Sequence, residues 1–138
     1  MAANKKVGVT TLDSNTGVLS NDLIKQNAKQ IIEDPTQVEE LGGSYEAYQR
    51  MSLAFKNKAF DSAKDLSFLT GEERKGLLSA FEMIENATKE NAIAGTLSER
   101  DILNGMTTGK NLYAAAAASG PEVLKKFTMH FSKYIGNF

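Results

Sequence analysis

The 138-residue chain has no cysteine. That excludes disulfide frameworks, thiol nucleophiles, thiolate zinc sites and iron–sulfur clusters together. It has one histidine, His130, so the paired Glu-x-x-His motifs of a di-metal helical bundle cannot be assembled. An excess of one charge sign is also missing. Sixteen basic and seventeen acidic residues leave a net charge of −1, without the basic footprint expected of a nucleic-acid-binding domain. The longest apolar run, residues 112–118, is far short of the ~20 residues that span a bilayer, so no membrane insertion is expected. Lys5 and Lys6 have no apolar stretch behind them, and no secretory signal peptide is expected. The location is left open, with the cytoplasm as the default and non-classical export as the exception. No motif calls for a cofactor.

What is present suits one domain. A chain of this length buries roughly 68–70% of its unfolded surface and needs no covalent staples. Residues 1–19 are rich in Thr, Ser, Asn, Gly and Val and have no helical period. They predict a flexible arm, or a hairpin with Val7, Val9 and Val18, Leu19 flanking the turn Asp13-Ser14-Asn15-Thr16-Gly17. That turn lacks the glycine and glutamate positions of a calcium loop. In composition the arm is similar to export signals of bacterial contact-dependent secretion systems and to arms that order on assembly.

Residues 20–138 read as an all-α, compact bundle of five to seven short helices. Ser20 caps a stripe of Leu23, Ile24, Ala28, Ile31 and Ile32. Asp34-Pro35 opens a short segment that Gly42-Gly43 closes. Ser44 starts a pattern through Tyr45, Tyr48, Met51, Phe55 and Ala59, followed by a less regular helix from 61 to 69. Thr70-Gly71-Glu72-Glu73 and Thr96-Leu97-Ser98-Glu99 are capping boxes. The first opens a long helix with Leu77, Ala80, Phe81, Ile84 and Ala87 on one face. Thr107-Thr108-Gly109 reads as a break before an alanine-rich helix over 110–118. Pro121 restarts a final helix whose stripe is Val123, Leu124, Phe127, Phe131, Tyr134, Ile135 and Phe138. Five of the eleven Phe and Tyr residues fall at or after Tyr113, so this last helix is expected to build the core, with weak contact to an anionic membrane surface as its lesser use.

Few residues suggest chemistry. His130 has no Gly-x-Ser-x-Gly elbow to serve and reads as a boundary residue. Glu82 and Glu85 share a helix face, but Glu85 precedes Lys89 by four, as Glu46 precedes Arg50, the order of exposed ion pairs. The turn at Thr107, Thr108, Gly109 and Lys110 is an imperfect phosphate loop that offers a helix N-terminus to an anion. The run from Tyr113 through Ala118 reads first as an internal helix. Its functional alternative is a close subunit contact through Tyr113, Ala114, Ala117 and Ala118. The expectation is therefore a non-enzymatic interaction domain (an adaptor, an inhibitor, or a secretion- or assembly-associated subunit) with a protein partner or self-association. The alternative is a small-molecule or anion-binding domain near residues 105–113, with Tyr45, Tyr48 or Tyr113 at its site.

Overall fold

The computed structural model describes residues 19–93 and 105–136. The arm over residues 1–18 and the second capping box lie outside them. Among the described residues there are seven α-helices and two 3-10 segments. They are α1 (Asn21–Glu33), a 3-10 turn (Pro35–Val38), α2 (Tyr45–Arg50), a second 3-10 turn (Met51–Leu53), α3 (Ser62–Asp65), α4 (Gly71–Ile93), α5 (Met106–Ala118), α6 (Pro121–His130) and α7 (Ser132–Ile135). The all-α expectation holds.

The helix starts follow the local chemistry. Ser20, Asp34, Ser44 and Asp61 each accept a hydrogen bond from a backbone N–H two or three residues ahead, satisfying donors that a helix N-terminus leaves free. At the head of α4 the capping box closes in both directions. The Thr70 N–H donates to Glu73 Oε1 at 2.9 Å, and the Glu73 N–H donates to Thr70 Oγ1 at 3.2 Å.

α5 is the axis of the molecule. Every residue from Leu112 to Gly120 is buried, and α1, α2, α4, α6 and both 3-10 turns pack against the helix. A helix with no polar face must be enclosed on all sides, and alanine side chains let the surrounding backbones come close. Its C-terminal end is satisfied internally. Asn27 Nδ2 donates to the Ala118 carbonyl at 3.0 Å, and Ser119 Oγ donates to the Ala115 carbonyl at 2.7 Å.

Three boundaries differ from the sequence expectation, each for a tertiary reason. α5 begins at Met106, so Thr107-Thr108-Gly109 is helical and the break is Gly105, in the left-handed region at φ 74°. A Cβ on Gly109 would overlap the Met51 carbonyl oxygen, so this glycine serves a backbone-to-backbone approach. On the other side of that contact, the helix expected to run from Ser44 to Ala59 stops at Arg50 and tightens into the 3-10 turn. Asn57 then takes a positive φ of 58° and Ala59 is exposed.

The last helix is likewise two pieces, broken at Phe131. The break lays α7 against α2 and the Met51–Leu53 turn, burying Ile135. Phe127 and Phe131 do sit in the core, with ring centroids 4.6 Å apart, and Phe131 packs on Phe55 and Phe68. The aromatic cluster therefore forms one side of the core, and α5 its centre.

Candidate functional site

Among the described residues, two clefts flank α5. The wider, about 360 Å³, runs between the turn at residues 41–44 and one face of α6. Val38 ends the first 3-10 turn, and Gly42 reverses the chain at φ 93°. The Gly43 N–H then returns to the Val38 carbonyl at 2.8 Å. Tyr113 Oη lies beneath and accepts the Ser44 N–H at 2.7 Å. A Cβ on Gly43 would fall 2.8 Å from that hydroxyl and 3.1 Å from the Val38 carbonyl oxygen, so a larger residue would have to displace the tyrosine. Burial pushes the Tyr113 phenol up, with the Glu39 charge adding and the Ser44 N–H opposing.

Across the cleft, Pro121 and Leu124 form the wall and Lys125, Thr128 and Met129 the rim. Met129 is 69% exposed. Leu53, at 57%, is the other large apolar side chain left exposed among the described residues.

The second cleft, about 230 Å³, lies among α1, α2, α4 and α5. Ile31, Ile32, Ile84, Ala87 and Ala114 give it apolar walls, and Tyr48, Thr88, Asn91 and Asn111 add polar groups. Asn111 Nδ2 donates to Glu85 Oε2 at 2.9 Å and to Thr88 Oγ1 at 3.1 Å. Burial, with the neighbouring Tyr45 adding, pushes the Tyr48 phenol up to about 12. The Tyr45 and Tyr48 rings stack at 5.5 Å, and Lys110 Nζ lies 6.0 Å from the Tyr48 ring centre.

The sequence-derived candidates divide between these places. Thr107, Thr108, Gly109 and Lys110 form the first turn of α5, with Gly109 turned to Met51 and covered by it. Tyr113, Ala114, Ala117 and Ala118 are interior residues, each 2% exposed or less. Within the single chain these side chains are enclosed by its own helices. Tyr48 and Tyr113 go to separate clefts.

His130 is exposed and stacks on Phe68, with centroids 4.1 Å apart, its edge against Phe131. Glu46 and Arg50 pair as expected. Glu85 does not stay on a solvated face with Lys89, but accepts from Asn111 across to α5.

Sequence reasoning missed Met129 and Thr88, and placed Asn111 only within the 105–113 neighbourhood. Thr88 had a signal: it stands four residues after Ile84, so a polar residue continues the apolar stripe of α4. Asn111 had a weaker one, adjoining a segment with no polar face. Among the described residues no group of three His, Asp or Glu side chains comes together as a metal centre, and no helix is long and apolar enough to cross a membrane. No protein-family model matches the chain, and neither a curated protein nor a solved structure is similar to it.

Proposed function

We propose that this chain is a non-enzymatic protein-interaction domain that docks a partner segment over the cleft between residues 41–44 and α6. The observation that carries the reading is a coincidence of place. Met129, the more exposed of the two large exposed apolar side chains among the described residues, lines the wider of the two clefts. Methionine is flexible and polarizable, and suits a surface that must adapt to an apolar anchor. The floor of the cleft is held in place: Tyr113 is fixed by its bond to Ser44, and Leu124 is anchored in the core. A rigid apolar floor with an adaptable rim is the arrangement used to hold a helix or extended segment by one or two anchors. The ammonium of Lys125 on the same rim favours a partner with an acidic residue beside its apolar anchor.

Photo-crosslinking tests this directly. A photoreactive residue at position 129 should give a discrete adduct in a lysate of the source cell, competed away by unlabelled chain but not by Met129→Asp. The same probe at Lys75, exposed on α4, should not give it. Identical adducts from both positions, or none at 129, would overturn the reading. Met129→Asp itself should change stability by no more than about 0.5 kcal/mol, as for other surface positions.

A further inference from the structure

The second cleft carries an inference of its own, independent of the interaction reading, and it comes from counting protons. Every buried side-chain nitrogen and oxygen among the described residues has a polar neighbour in range, but proximity does not supply a hydrogen. A primary amide nitrogen has two protons, and a hydroxyl has one. Asn111 Nδ2 uses both of its protons, on Glu85 Oε2 at 2.9 Å and on Thr88 Oγ1 at 3.1 Å. The carboxylate is acceptor-only, which fixes the orientation of the amide. Thr88 has one proton and two acceptors near it: the Ile84 carbonyl at 2.9 Å and Asn111 Oδ1 at 3.4 Å. An O–H···O bond spans about 2.5–3.0 Å, so the proton goes to Ile84. Asn111 Oδ1 is left with only the long 3.4 Å contact to that hydroxyl, on a residue only 4% exposed.

A buried carbonyl held by so long a contact has acceptor capacity to spare. This one belongs to a residue that lines a cavity with apolar walls from Ile31, Ile32, Ile84, Ala87 and Ala114 and further polar groups from Tyr48, Thr88 and Asn91. At about 230 Å³ the cavity exceeds an engineered 150 Å³ cavity that holds benzene. We propose that this cleft binds a small uncharged molecule with an apolar, ring-sized body and one hydroxyl or N–H group, which donates to Asn111 Oδ1. An apolar body with a single fixing polar contact is the usual composition of a small-ligand site. Tyr48 adds a neutral phenol to the lining, its pKa raised further by burial.

Matched probes test the assignment. Indole and benzofuran have nearly the same shape, and only indole has an N–H to donate. Titrated into the full chain and followed by the side-chain amide resonance of Asn111, indole should bind and shift that resonance. Benzofuran should bind at least fivefold more weakly. Phenol against anisole should repeat the order. Ala87→Leu narrows the cavity from a half-buried wall position without touching the polar cluster, and should abolish indole binding while the far-ultraviolet dichroism is unchanged. Equal binding of indole and benzofuran would overturn the proposal by showing a merely apolar void. So would indole binding that survives Ala87→Leu, or no binding of indole or phenol at millimolar concentration.

Discussion

At position 109 two effects of known size oppose each other. Glycine inside a helix is less favourable than alanine by about 1 kcal/mol, so propensity alone says that Gly109→Ala stabilises. The added Cβ would overlap the Met51 carbonyl oxygen, and backbone atoms held by a 3-10 turn cannot yield as a flexible side chain can. Overpacking of this kind costs about 1–3 kcal/mol, enough to reverse the sign. Urea denaturation of Gly109→Ala should show a net loss. Gly71→Ala, where a Cβ meets nothing within 4 Å, should be neutral or slightly stabilising. If Gly109→Ala stabilises as much as Gly71→Ala, the close approach is absent. Tyr113→Phe offers a second residue-level check. It leaves the Ser44 N–H without its acceptor, and should lower stability by about 1–3 kcal/mol in the same measurement.

Among the elements, one contact joins the start of α4 to α6. Lys126 Nζ donates to both oxygens of Glu73 at 2.9 Å, extending the capping box into a long-range ion pair. Burial pushes the Glu73 carboxyl up, but the bonds from Lys126 and the Thr70 N–H, with the lysine charge, outweigh it and hold the carboxyl below its ordinary value. The sign of the linkage follows. A depressed carboxylate contributes stability above its unfolded value, and the contribution is lost as pH falls through the folded one. The melting temperature should therefore decline as pH drops below about 4.3, the ordinary glutamate value, and decline less in Glu73→Gln. Lys126→Met at pH 7 should cost about 1–2 kcal/mol, less than a fully buried pair, because the lysine is 40% exposed and screened by water.

This level also separates what is legible in the sequence from what is not. Caps at Ser20, Asp34, Ser44 and Thr70 are visible because donor and acceptor lie within three residues of each other. The Glu46–Arg50 pair is visible too, because residues four apart share a helix face. The Glu73–Lys126 pair and the Asn111–Glu85 bond join residues 53 and 26 positions apart, beyond the reach of any local rule. The breaks at Arg50 and Phe131, and the start of α5 at Met106, are decided by what each segment packs against. Of the candidate site, the tyrosines and the neighbourhood of residue 110 could be anticipated. The proton count at Asn111 could not, because it needs α4 and α5, 23 to 26 positions apart in the chain at this contact, placed together.

For the whole molecule, the alanine helix decides how the domain is built. A segment of the smallest side chains sits at the axis, and the larger Leu, Ile and Phe residues of α1, α4 and α6 close around it. Stability should then be far more sensitive to enlarging α5 than to changing any outer face. Ala116→Leu, at a position with no exposure, should destabilise by about 1–3 kcal/mol or more without changing the oligomeric state seen by light scattering. An increase in stability, or a shift in mass, would mean that the helix faces another subunit. Hydrogen exchange on the dilute chain asks the same question without a mutation. If α5 is the enclosed axis, the amides from Leu112 to Ser119 should be the slowest to exchange, opening only with global unfolding, at rates independent of protein concentration. Exchange there as fast as in α2, or protection that appears only as concentration rises, would contradict the account.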